Sequence, residues 1–142
     1  MPFITPVQLR FSDIDALGHV NNSVYFSLMD LAKTRYFLAA MGADLDISKA
    51  GLVVVNVNCD FCAPAFFGEE LQVVTSTVAV GEKSLTFEQA VVCPARGNEV
   101  KCRCRTVMCG FDPRKMTSIP ITDEWRAALE KIEGREFPLK ER

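Results

Sequence analysis

The stretch Val24-Tyr25-Phe26-Ser27-Leu28-Met29-Asp30-Leu31-Ala32 places seven apolar residues among nine. A surface helix shows its apolar residues as a stripe; one that is apolar almost all round is buried on most sides. The same face continues through Tyr36, Ala39 and Ala40. Asn22 is suited to cap the start and Gly42 to stop the end. The segment therefore reads as one long central helix, and the rest of the chain has to supply its cover.

Downstream the pattern turns to β. Residues 52–61 are Val-rich and alternate, residues 71–80 are a second β-branched run, and residues 85–93 follow a Gly81-Glu82-Lys83 turn as its hairpin partner. After a turn over residues 94–98, residues 100–111 form the last long strand. On it Val100, Cys102, Cys104, Thr106 and Met108 share one face, whereas Lys101, Arg103 and Arg105 share the other, which is expected to be wet or to face a ligand or partner. Upstream, Val7, Leu9 and Phe11 alternate with Gln8, Arg10 and Ser12 as a first strand. Residues 113–121 read as a linker, Thr122 as the cap of a short helix over residues 123–132, and residues 133–142 as a fraying polar tail. The order predicts an α+β domain: a curved antiparallel sheet of about five strands wrapped around the helix. One domain spans residues 1–142, with its core over about 5–116 and a short helix and tail over 117–142. A single sheet leaves open edges, and a second copy would cover one of them, so a dimer or tetramer is expected.

Composition narrows the classes of function. The 142 residues carry 16 Lys plus Arg against 18 Asp plus Glu, a net charge of −2, with no basic block to bind a phosphate backbone. No nucleic-acid partner is expected. Apolar runs fall far short of the roughly 20 residues of a membrane span, and residues 1–10 do not read as a signal peptide. A cytoplasmic, membrane-free domain is expected. Its six cysteines then read as reduced, small buried hydrophobes. Four zinc ligands from Cys59, Cys62, Cys102 and Cys104 fail on parity: on strands, Cys102 and Cys104 share a face, but Cys59 and Cys62 do not. No metal is expected.

Chemistry concentrates in the loop before the helix, Asp13-Ile14-Asp15-Ala16-Leu17-Gly18-His19-Val20-Asn21-Asn22, which holds two acids and the single histidine. A helix start offers free backbone N–H groups and the positive end of a dipole, able to polarise a carbonyl and hold an oxyanion. A carboxylate beside such an end has the parts needed to hydrolyse an activated ester. Either acid can also act as a loop cap, bonded to backbone N–H groups.

Residues 11–25, Phe-Ser-Asp-Ile-Asp-Ala-Leu-Gly-His-Val-Asn-Asn-Ser-Val-Tyr, resemble the signature of the hotdog-fold acyl-CoA thioesterases of the 4-hydroxybenzoyl-CoA thioesterase type. Ala63-Pro64-Ala65, Gly68-Glu69-Glu70-Leu71 and the stretch from Gly81 to Glu88 resemble later motifs of that family, over residues 7–116 in all. The resemblance implies a thioesterase with Asp15 as nucleophile or general base and the backbone N–H of Asn22 polarising the thioester carbonyl. It places His19 and Tyr25 around the catalytic pocket. It makes Gly18, Lys83 and Ser84 substrate-binding, the last two near the phosphates of coenzyme A. Phe66 stands where the family often has a basic residue, and Asp30 and Lys33 leave no helical Glu near the mouth. No cofactor is implied beyond the coenzyme A of the substrate. A competing reading is a non-catalytic hotdog module that binds acyl-CoA or an acyl carrier protein.

Overall fold

The computed structural model describes residues 2–46 and 51–138. They form six strands and two helices: β1 (Phe3–Val7), α1 (Asn22–Met41), β2 (Leu52–Phe61), β3 (Leu71–Val80), β4 (Ser84–Cys93), β5 (Glu99–Asp112), β6 (Thr117–Ile119) and α2 (Asp123–Glu133). Every pairing is antiparallel, in the order β1-β3-β4-β5-β2, with β6 alongside β5. Residues 139–142, the end of the expected polar tail, lie outside the described residues.

Helix α1 packs on β3, β1 and β4 and against α2. Its first half joins one apolar cluster, in which Tyr25, Leu28, Met29 and Ala32 meet Leu71, Val73, Val91 and Cys102. Its second half joins another, in which Tyr36 and Phe37 meet Leu85, Phe87 and Met108 from the sheet and Trp125 and Leu129 from α2. Two polar contacts fix the helix on the sheet. The Tyr36 hydroxyl lies 2.7 Å from Thr77 Oγ1, and the buried Gln89 amide donates to the Met29 carbonyl at 2.9 Å. Burial is less complete than the apolar run predicts, because Phe26 and Leu31 stay 42% and 43% exposed.

Strand β2 contains a bulge between Val54 and Asn56 that leaves Val55 out of register with β5. One extra residue reverses the alternation. It therefore keeps Leu52 and Val54 on the α1 side together with Val57, Cys59 and Phe61.

Several sequence expectations need correction. The first strand is Phe3–Val7, not residues 7–12, and Phe11–Asp13 is a single 3-10 turn with Phe11 83% exposed. Val7 and Leu9 do pack on the core. The Asp13 carboxylate closes the turn by accepting the Arg10 backbone N–H at 2.7 Å, a local bond that competes with extension of the strand. Pro6 is tolerated because β1 is an edge strand. The expected linker contains β6, whose Thr117–Ile119 pair with Asp112, Phe111 and Gly110, so the sheet has six strands.

The core also runs beyond residue 116. Ile121, Trp125, Leu129 and Phe137 are all buried. The tail is tied down as far as Phe137, whose N–H donates to Glu130 Oε2 and whose carbonyl accepts from Arg126 Nη1, both at 2.6 Å. One buried aromatic in a polar tail is enough to anchor it.

The cysteines are not all reduced: Cys59 and Cys104 are joined in a disulfide. They are direct register partners across β2 and β5, with Cα atoms 4.2 Å apart. Parity within each strand ignores such cross-strand facing. Among the described residues, no helix is long and apolar enough to cross a membrane.

Among the described glycines, Gly110 marks the closest backbone approach, since a Cβ there would run into the carbonyl oxygen of Ile119 on β6. Gly110→Ala is expected to lower the unfolding free energy by about 1–3 kcal/mol, the usual scale of overpacking. Urea denaturation with an unchanged m-value would check this, and a midpoint equal to wild type would show that β6 yields freely.

Candidate active site

The loop between the 3-10 turn and α1 is fixed by its own polar groups. The Asp15 N–H donates to the His19 carbonyl at 2.8 Å, and the Gly18 N–H returns to the Asp15 carbonyl at 3.0 Å. Gly18 sits at φ +82°, a left-handed conformation that side chains resist. The two acids separate in role. Asp13 is 3% exposed and saturated, taking the Arg10 backbone N–H and guanidinium while its carbonyl accepts from Asn21. It is a loop cap. Asp15 is half-buried, and its Oδ1 accepts the N–H groups of Leu17 at 2.9 Å and His19 at 3.4 Å. Among the described residues Oδ2 has no donor, so one carboxylate oxygen remains available.

The helix start differs from expectation by one residue. Asn21, not Asn22, is the N-cap: its side-chain oxygen accepts from the Ser23 N–H at 3.0 Å and the Ser23 hydroxyl at 2.8 Å. Its carbonyl accepts from the Val24 N–H at 2.9 Å. An N-cap places its side chain to take the N2 or N3 donor. The N–H of Asn22, the first helical residue, is left without an acceptor among the described residues.

These groups open onto a surface cleft of about 450 Å³. Asp15, Leu17, His19, Asn21, Asn22 and Tyr25 line one side, and Phe61, Cys62, Ala63 and Pro64 line the other. The structure thus brings together four of the expected site residues, Asp15, His19, Asn22 and Tyr25, with Gly18 setting the loop between them. The second wall is not singled out as site by the sequence. Its Pro-containing turn is visible there, but its facing the helix start depends on the pairing of β2 with β5.

The walls are stitched together. The Val20 N–H donates to the Ala65 carbonyl at 2.8 Å, His19 and Phe66 form a β-bridge, and their rings meet edge to face with centroids 5.2 Å apart. Phe66 is thus the edge-to-face partner of the only histidine. Lys83 and Ser84 are not in the cleft. They lie at the β3–β4 hairpin, where Ser84 pairs with Cys109, whereas Phe61 pairs with Cys102. Those two positions on β5 are separated by about 23 Å of strand.

Tyr25 is 2% exposed. Burial first, and then the neighbouring Cys102 and Glu69, raise its hydroxyl to about 12 against an opposing hydrogen bond to the Ala65 backbone. At neutral pH it is a neutral hydroxyl, unable to serve as a base. Burial likewise raises Tyr36.

The sulfurs of Cys59, Cys102 and Cys104 lie within 4.8 Å of one another and are the residues that could hold a soft cation. Two of them are already joined. Burial, followed by Cys62 and Asp60, lifts the Cys102 thiol to about 11, away from the thiolate a metal needs. Cys62 stands apart, exposed, with its thiol toward the Asp60 carbonyl.

A family model described as the thioesterase-like superfamily matches residues 9–129. The chain belongs to the thioesterase-like superfamily. It is a thioesterase with the α+β architecture of the hotdog-type enzymes. Among solved structures it is similar to a thioesterase from Thermus thermophilus complexed with coenzyme A and Zn. That match has 30% identity and a TM-score of 0.83, and it covers 94% of this chain and 96% of that one. A 1,4-dihydroxy-2-naphthoyl-CoA thioesterase from Synechocystis shares the fold at 19% identity and a TM-score of 0.79, covering 91% and 96%. A curated relative, the uncharacterized protein YsmA of Bacillus subtilis, is 32% identical over 85 residues, which span 60% of this chain and 57% of the relative.

Both tyrosines of this thioesterase are buried, so no tyrosinate absorbance at 295 nm is expected at about pH 10, where a free tyrosine is half ionised. Both folded values are raised. The stability they contribute is therefore present below about pH 10 and lost as pH rises through the folded values. Absorbance should thus appear together with loss of the far-ultraviolet circular dichroism, and an earlier rise would contradict the burial.

Proposed function

We propose that this thioesterase hydrolyses an acyl-CoA thioester to a free acid and coenzyme A at the cleft between the 13–22 loop and the 61–64 wall. The observation that carries the reading is one carboxylate oxygen and one helix-start N–H, both without partners among the described residues, opening onto the same cleft. The thioester oxygen is to sit on the Asn22 N–H, where the helix dipole favours the charge that develops as the carbonyl becomes tetrahedral. Asp15, steadied through Oδ1, presents Oδ2 to the carbonyl carbon or to a water beside it. Direct attack gives an acyl–Asp15 anhydride and the coenzyme A thiolate, and water then opens the anhydride. In the general-base route water adds at once, and its proton ends on the departing sulfur. Either route consumes one water. Tyr25, held neutral, and His19 complete the pocket wall. The similarity to a thioesterase solved with coenzyme A supports that substrate class.

The proposal extends to assembly: the sheet curves around α1, and a second copy adds at the β2 edge. The exposed Val54, Val55 and Val57 on that edge, with Phe26 of α1 lining the same hollow as Val54 and Val57, support it. Within one chain Lys83 and Ser84 are remote from the cleft, so they reach coenzyme A only in the cleft of another copy. Sedimentation should show a dimer or larger for wild type and a smaller species for Val57→Lys. A monomeric, fully active wild type would remove the assembly from the proposal.

Thiol release from a panel of acyl-CoAs tests the chemistry. Asp15→Asn is expected to slow turnover by about 100- to 10,000-fold with substrate binding retained. Equal rates for the two proteins would exclude Asp15. Tight acyl-CoA binding with no turnover of any thioester by wild type would favour a binding module instead.

A further inference from the structure

Alternation along β5 puts Lys101 on the wet face with Arg103 and Arg105. Those two arginines are exposed, but the Lys101 side chain is 1% exposed. Burying an ammonium is costly unless its donors are met. Its partners are three acceptors: the Pro64 carbonyl, hydrogen-bonded at 3.0 Å, Glu99 Oε1, also hydrogen-bonded, and Glu69 Oε2, an ion pair at 3.3 Å. Two of these acceptors belong to the segment that joins β2 to β3. Pro64 lines the cleft.

That segment has little ladder of its own. The N–H groups of Cys62 and Ala63 both fall on the Lys101 carbonyl, at 2.8 and 3.2 Å, and Pro64 has no N–H. Lys101 therefore holds the wall through its main chain and its side chain together. Glu69 continues the connection. Its Oε1 accepts the Phe66 N–H at 2.7 Å, and its Oε2 takes Arg96 Nε at 2.8 Å besides Lys101. Phe66 in turn bridges to His19 and meets its ring edge to face.

Charge favours a permanent clamp. Burial would raise Glu69, but the Phe66 N–H, Lys101 and Arg96 together hold its carboxyl below the usual range. Burial would lower Lys101, but Glu99 and Glu69 together hold it above the usual lysine value. Both stay charged across the neutral range.

We propose that Lys101 and Glu69 are positioning residues for the thioester site, holding the 62–66 segment at the spacing from the helix start that the reaction requires. Neither touches substrate. The inference rests on the proposed reading of the cleft, and it adds the part of the molecule that sets the distance between its walls. A clamp that served stability alone would leave the catalytic loop where it is when weakened in a protein that still folds.

The single histidine makes the difference measurable, because the His19 imidazole gives one set of NMR signals, sensitive to the ring of Phe66 beside it. Two variants serve: Lys101→Met, which removes the charge, and Glu69→Gln, which keeps an oxygen for the Phe66 N–H and is the variant expected to fold where Lys101→Met does not. Each folded variant is expected to shift the His19 signals. Each should also lower kcat for thioester hydrolysis by about 10- to 100-fold, the scale of a small misplacement, with KM moving by less than about threefold. Unmoved His19 signals in Glu69→Gln overturn the inference, whether or not kcat falls, as does a kcat within about twofold of wild type. A wild type that hydrolyses no thioester would sink the functional reading instead, leaving the His19 signals to decide whether the clamp sets the loop.

Discussion

Strand β5 is the constraint on which the rest depends. Its 14 residues pair with β4 along one edge and β2 along the other, and β6 takes the β4 side beyond Ser84. At one end the Lys101 carbonyl starts the wall of the cleft; at the other, Gly110 lets β6 cross closely. A one-residue slip of this strand would send Cys102, Cys104, Thr106 and Met108 out of the core. It would also separate the 61–64 wall from the helix start. The position of the site is thus a property of strand register as much as of the loop that carries its carboxylate.

The two aspartates of the loop show how alike residues part company. Both sit in one polar turn, two residues apart. Asp13 points into the protein, where its two carboxylate oxygens take the N–H and the guanidinium of Arg10 and its carbonyl takes the Asn21 N–H. Asp15 caps two N–H groups with one oxygen and keeps the other. The helix start follows the same economy: Asn21 satisfies the second and third residues of α1, leaving the first N–H for whatever enters the cleft.

Much of the fold was legible because its signals are local. The Val-rich runs that became β2 and β3, the hairpin between β3 and β4, and the Thr122 cap of α2 follow from alternation, turn residues and capping chemistry. The polar loop before α1 was legible for the same reason. What could not be read depends on partners distant in sequence. β1 is short and contains Pro6, so only its pairing with β3 makes it a strand. Phe137 looks like a residue in a frayed tail until α2 provides a place for it. Lys101 shares alternation with Arg103 and Arg105, and only the arrival of Pro64 and Glu69 turns it inward. Cys59 and Cys104 meet because two strands happen to align.

The bulge at Val55 restores the inward face of β2, and it also interrupts the outward edge. An edge strand is a template on which further chains can stack, and an unbroken row of free backbone groups is the most permissive form of it. Here the row is broken near its middle, and the strand is more twisted on either side of the break. An added strand would find only a short unbroken segment of β2 to pair with, not its whole length. Growth of the sheet from this edge, the route to a fibre, is discouraged by the same extra residue that keeps Leu52 against the core.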